Sequence, residues 1–119
     1  MKDVRGKIWG STNCIFAKNN VEIHRIEIKK GGYCSLHKHI GKWNLFYVEQ
    51  GRIEVRIDRS DANVVITDKT VLCAGDSTYV EPGQYHQFLG LEDSVVFEVY
   101  WTELFTDDIV RKTVGGRQE

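Results

Sequence analysis

The chain has 119 residues, enough for one domain with its own core and no need of disulfide staples. Apolar residues at 41%, charged residues at 28% and a formal net charge of -1 give an ordinary globular composition, with no electrostatic footprint for nucleic acid or an anionic membrane. Three cysteines, Cys14, Cys34 and Cys73, lack CxxC spacing, which excludes a disulfide framework and implies a reducing compartment, the cytoplasm by default. The N-terminus is charged, and no window approaches the roughly 20 apolar residues needed to cross a bilayer.

Residues 1–19 carry Gly6, Gly10, Ser11, Thr12 and Asn13, which break any period, so an irregular arm or short edge strands are expected, with Ile8, Trp9, Ile15 and Phe16 packing onto a larger body. Val21 to Lys29, VEIHRIEIK, is rich in β-branched residues and reads as a strand. Its Ile23 is out of step with Ile26 and Ile28, which predicts a bulge or change of face within it. After the turn Lys30-Gly31-Gly32, YCSLHKH reads as a continuing strand, IGK as a turn, and WNLFYVEQ as a strand closed by Gly51. RIEVRID alternates cleanly, with Ile53, Val55 and Ile57 on one face and Arg52, Glu54, Arg56 and Asp58 on the other, the mark of a half-buried strand. Arg59 to Asn63 form a polar turn, and VVIT and TVLCAG read as two short strands around Asp68-Lys69. STYVEPGQYHQFLG and SVVFEVYWTEL supply further strands. In FTDDIVRKTVGG, Asp107 and Asp108 are placed to cap a short helix through Ile109 to Lys112, and 115–119 is a tail of disorder-prone composition. Short strands, polar turns and no convincing helix of about ten residues predict an all-β sandwich or barrel.

The chemistry concentrates between Gly31 and Gly51. His37 and His39 are spaced i and i+2, which on a strand aims both imidazoles to one side while Lys38 faces the other. A third imidazole, His86, follows Pro82-Gly83-Gln84-Tyr85, so three of the four histidines meet if the chain folds back on itself. A His-x-His pair with a third histidine, in a histidine-poor chain, points to a metal site; the competing reading is three ordinary polar residues. Three neutral imidazoles suit a first-row divalent ion, Zn, Ni, Fe, Mn or Co, with room for water or substrate.

The order Gly31, His37, His39, Asn44, Gly51 and the later run from Gly75 to His86 resemble the two motifs of the cupin superfamily. That resemblance implies a single-domain cupin over 1–119, a double-stranded β-helix or jelly-roll barrel, with the site at one mouth. In the family a glutamate usually stands where Asn44 stands and completes a metal site with the three histidines, so the implied ligand set here is His37, His39, Asn44 and His86. The family's asparagine four residues after the second-motif histidine is Gly90 here, and the first proline of that motif is Glu81. Removing the carboxylate leaves a bound ion more of its positive charge, which strengthens polarisation of a carbonyl or water and weakens retention of the ion.

A narrower resemblance covers nearly the whole chain. LHKHIGKWNLFYVEQG, EPGQYHQF and VVFEVYWTELFTDDIVRKTVGGR, with Trp9-Gly10, look like the cupin domain of type II mannose-6-phosphate isomerases. That family usually carries a glutamine at His37 and a glutamate at Asn44. The resemblance implies a metal-dependent enzyme acting on a sugar phosphate or related carbohydrate. A three-histidine iron oxygenase and a non-catalytic sugar-binding or regulatory cupin are the alternatives.

An aldose-ketose isomerase needs a proton carrier, a Lewis acid and cations for the phosphate. His24, where the resembling isomerases have a lysine, and Glu98, which matches a family glutamate, are the candidate catalytic residues. An exposed strand histidine and a structural barrel carboxylate are the plainer readings of the two. Lys42 and Arg111 are candidate phosphate holders or simply solvated, and Tyr85 is the candidate for stacking on a sugar ring. Cys34 is out of phase with His37 and expected to point away. Edge strands and the aromatic arm suggest a homodimer.

Overall fold

A computed structural model describes residues 3–103 and 110–118. Among these residues there is no helix, hence none long and apolar enough to cross a membrane. The strands are β1 (Asp3–Lys7), β2 (Gly10–Lys18), β3 (Val21–Ile28), β4 (Trp43–Gln50), β5 (Arg52–Asp58), β6 (Thr67–Cys73), β7 (Ser77–Val80), β8 (His86–Gly90) and β9 (Ser94–Trp101). They form a six-stranded sheet, β1-β2-β3-β9-β4-β7, and a three-stranded sheet, β6-β5-β8, with every pairing antiparallel.

Alternation builds the space between the sheets. β5 buries Ile53, Val55 and Ile57, as its sequence pattern predicts, and β8 buries His86, Phe88 and Gly90 at the same period. From the larger sheet, Ile26 and Ile28 of β3, Phe46 and Val48 of β4 and Val96 of β9 face them. Each such side chain contributes about 1.5–3 kcal/mol by leaving water. Trp9 closes one end, its ring 4.9 Å from that of Phe88 and nearly perpendicular to it.

Residues 3–18 form a β-hairpin on the edge of the larger sheet, where pairing with β3 supplies the order that their composition lacks. Three local expectations are corrected. The bulge expected in β3 lies across from it in β2, where the register slips between Cys14 and Phe16. YCSLHKH is not a continuous strand, since only Tyr33 and His37 make bridges, each to β8. VVIT and TVLCAG are not two strands around Asp68-Lys69; β6 runs through both residues and Val64 to Ile66 stay outside it. The proposed caps Asp107 and Asp108, and Ile109 with them, lie outside the described residues, and Val110 to Lys112 show no helical turn.

Two connections set up the site. Segment 31–39 runs along the free edge of β8, joined by Gly31 N–H to Gly90 O, Gly90 N–H to Gly32 O and Cys34 N–H to Phe88 O. Gly51 turns β4 into β5 at φ 87°, and a Cβ there would clash with Asp93 O. Both the left-handed backbone and the close approach require glycine at the motif's last position.

Candidate metal centre

His86 opens β8 and points inward on the same alternation that buries Phe88. The reciprocal backbone bonds His37 N–H to His86 O (3.1 Å) and His86 N–H to His37 O (2.8 Å) bring His37 beside it. His39 follows two residues on, fixed by Gly83 N–H donating to its carbonyl at 2.7 Å. Ring centroids lie 4.6 Å (His37 to His86), 5.1 Å (His37 to His39) and 5.5 Å (His39 to His86) apart, and one nitrogen from each ring falls within 4.8 Å of the others. The three predicted histidines therefore converge, although the segment carrying two of them is not a regular strand.

His37 Nδ1–H donates to Ser35 O at 2.8 Å, and His86 Nδ1–H to Gln84 O at 2.9 Å, which leaves both Nε2 atoms with lone pairs. His86 Nε2 lies 3.1 Å from Asn44 Oδ1, so with that tautomer two acceptors face each other. His39 Nε2 is buried with no hydrogen-bond partner. An orphaned imidazole nitrogen and an acceptor pair cost free energy unless a shared cation satisfies them. Burial, reinforced by His37, His86 and Lys42, holds the His39 pKa down to about 4, and burial likewise lowers that of His86, so these two rings are neutral as ligands must be. The donor set of His37, His39 and His86, with the Asn44 amide oxygen beside it, fits a divalent transition ion.

Asn44 is fully buried on β4, its amide donating to Leu45 O at 3.4 Å and facing Glu98 on β9 closely enough to oppose the rise in that carboxyl's pKa. Glu98 accepts a 2.5 Å hydrogen bond from Tyr100 Oη. Burial raises the Glu98 pKa to about 7, Tyr100 and Asn44 opposing the rise, and burial pushes the Tyr100 hydroxyl far above its ordinary value. A cavity of about 290 Å³ adjoins these groups, with His24, His37, Glu98 and Tyr100 in its wall. The sequence reading missed Tyr100, which stands two residues from Glu98 on the same strand face and 4.9 Å, ring to ring, from His39. The i, i+2 spacing was the available signal.

The other expected residues separate into two groups. His24 lines the cavity, its ring 5.8 Å from that of Tyr100. Lys42 is exposed beside it, Nζ 5.8 Å from the Tyr100 ring and 3.7 Å from Glu22, on a neighbouring hollow that also includes Lys18, Asn20 and Thr102. Tyr85 is outside the cavity wall, exposed, with Lys38 Nζ 4.9 Å over its ring. Arg111 is exposed in the segment 110–118 and does not line the cavity. Cys34, expected to point away, is turned inward: its Sγ accepts Phe88 N–H at 3.3 Å, and burial lifts its thiol to about 11, too high for a ready thiolate.

A cupin-domain family model matches residues 24–103. No curated protein matches the sequence. Among solved structures, the KdgF protein of a Halomonas species is 19% identical and superposes with a TM-score of 0.72 over 86% of this chain and 89% of that one. An RmlC-like cupin of Shewanella frigidimarina is 21% identical, with a TM-score of 0.67 over 87% and 86%. A variant oxalate decarboxylase of Bacillus subtilis is 19% identical, with a TM-score of 0.73 over 89% of this chain and 29% of that chain. Likeness at these identities speaks to the fold alone. The family match spans both histidine-bearing segments and Glu98, and with the antiparallel sandwich it establishes that this chain belongs to the cupin domain family.

Proposed function

We propose that this cupin is a metal-dependent enzyme that moves a proton between adjacent carbons of a small sugar or sugar phosphate, in the manner of mannose-6-phosphate isomerases. The observation that carries the reading is the convergence of the His37, His39 and His86 ligand atoms beside Glu98, a buried carboxyl in the wall of the adjoining cavity and so placed for proton exchange. A cavity of about 290 Å³ is at the small end of ligand pockets and matches a single sugar unit. His37, His39 and His86, with Asn44, would hold a divalent cation, which would polarise the substrate carbonyl.

The chain's own residues do the rest. Glu98 as carboxylate takes the proton from the hydroxyl-bearing carbon next to the carbonyl and returns it to the former carbonyl carbon. The hydroxyl proton of the first carbon passes to the former carbonyl oxygen through the enediol, while Tyr100 Oη donates to Glu98 and offsets its charge. Lys42, exposed on the neighbouring hollow that shares Tyr100 with this cavity, takes the phosphate. We assign proton transfer to Glu98 rather than to His24, whose Nδ1 faces Thr12 Oγ1 at 3.3 Å and whose Nε2 faces Glu22 at 3.7 Å.

The test is protein purified without chelator. Stoichiometric divalent metal, anaerobic aldose-ketose interconversion followed by NMR in deuterated water, and loss of that conversion in E98Q with metal retained are expected. Absence of metal would overturn the proposal. Iron with substrate-dependent oxygen uptake would favour the oxygenase instead, for which an all-neutral donor set is equally suited. Sugar binding with no turnover would leave a binding protein.

A further inference from the structure

A second group of ligating side chains lies on the β2–β3 pair. Cys14, Glu22 and His24 each present a donor atom, all within 4.8 Å of one another. The strand register puts Cys14 directly opposite His24, and Glu22 stands two residues from His24 on the same face. The β2 bulge shapes the space between them. Counting inward from Thr12 and Cys14, an unbroken strand would turn Phe16 inward next; the slip at Ile15 instead sets Phe16 outward against Ile23 and places Ala17 opposite Glu22. A methyl group replaces a ring beside the carboxylate, leaving room for an ion. Bulges re-aim side chains in this way.

One tautomer of His24 fits the same role. With Nδ1–H donating to Thr12 Oγ1 at 3.3 Å, Nε2 keeps its lone pair and faces Glu22 Oε1 at 3.7 Å, too far for a hydrogen bond. An oriented imidazole whose outer nitrogen is held by a hydroxyl is the usual support of a metal ligand. Lys42 pairs with the other carboxylate oxygen, Glu22 Oε2, and so leaves Oε1 available. Cys14 is partly exposed, its thiol making only a 3.6 Å contact to Phe16 O.

We propose that Cys14, Glu22 and His24 form a second metal site, selective for a thiophilic divalent cation of the zinc class. The mixed sulfur, nitrogen and oxygen donors suit that ion, and binding draws them to the roughly 3.5 Å separations of a tetrahedral shell. One coordination position stays open. The ring of Tyr100 separates this site from the three-histidine cluster, at 5.8 Å from His24 and 4.9 Å from His39. The inference does not rest on the enzymatic reading.

Cobalt titration of the chelator-treated full chain tests it, because only a cysteine-containing site gives thiolate-to-cobalt charge-transfer absorption in the near ultraviolet. Wild type is expected to bind two equivalents and show the band. C14S is expected to lose the band and one equivalent, C34S and C73S to keep both, and H39A to lose the other equivalent but keep the band. E22Q, milder for folding, is expected to weaken the band-forming equivalent at least about tenfold. No band at saturating cobalt, a band that survives C14S, or one untouched by E22Q would overturn the proposal.

Discussion

Replacing Glu98 with Gln tests whether the carboxyl beside the histidine cluster holds a proton at near-neutral pH. Glu98 is 9% exposed, and burial raises its pKa from 4.5 to about 7 against the opposing effect of Tyr100 and Asn44. At about 1.4 kcal/mol per pH unit, ionising this group inside the fold costs ~3 kcal/mol. Between those two pH values the folded protein keeps a proton that the unfolded chain has released. The contribution of Glu98 to stability is therefore present below pH 4.5 and lost as pH rises to about 7. His39 works in the opposite sense, its contribution being present above 6.5 and lost as pH falls through about 4, so the wild-type profile mixes the two. The difference between E98Q and wild type isolates the carboxyl. With a urea m-value of about 1.5 kcal/mol per M, the midpoint of E98Q relative to wild type should gain roughly 2 M between pH 4.5 and 7.5. Urea unfolding of chelator-treated proteins, followed by tryptophan fluorescence at both pH values, measures it. Parallel profiles would refute the reasoning, because Glu98 would then ionise alike in the folded and unfolded chains.

Alanine at His39 removes the orphaned Nε2. Metal analysis should find the three-histidine cluster empty while circular dichroism is unchanged. Asn44→Asp restores a negative charge without changing side-chain shape. Unit charges about 4 Å apart attract by about 4 kcal/mol at an effective dielectric constant of 20, and a fraction of that suffices to slow metal loss to a chelator by at least about tenfold. Unchanged loss would mean that Asn44 does not face the ion. Ile53→Ala opens a cavity at a fully buried position of β5 and should cost about 2–5 kcal/mol in urea unfolding. Gly51→Ala forces a Cβ onto Asp93 O at φ 87°, and its thermal midpoint should fall, with a destabilisation of at least about 1 kcal/mol.

What the sequence made legible is what depends on short-range period. Ile53, Val55 and Ile57 declare β5, and the spacing of His37, His39 and His86 declares the cluster, because alternation and motif spacing survive in one dimension. What depends on pairing did not survive. Residues 3–18 look irregular alone, and their strands form because β3 offers an edge. Ile23 looks out of step because it opposes Phe16 across a bulge that belongs to the partner strand, and no inspection of β3 alone shows that. Cys34 was placed by extending strand phase through a segment that makes only isolated bridges, so its inward turn was invisible.

The residue that departs from the cupin pattern, Asn44, makes physical sense once Glu98 is beside it. A carboxylate at 44 would put two acidic groups in one buried space, and like charges there drive the second pKa upward. The amide instead serves two neighbours of opposite demand. Its N–H side faces Glu98, opposing the rise that burial imposes, and its oxygen faces His86. Glu98 then sits at about 7 rather than higher, within reach of both protonation states at neutral pH. Loss of the ligand charge at 44 and the protonation balance of Glu98 in the metal-free protein are thus two sides of one electrostatic arrangement. The N44D variant separates them, since tighter metal retention should come with a Glu98 that stays protonated to higher pH in the metal-free protein.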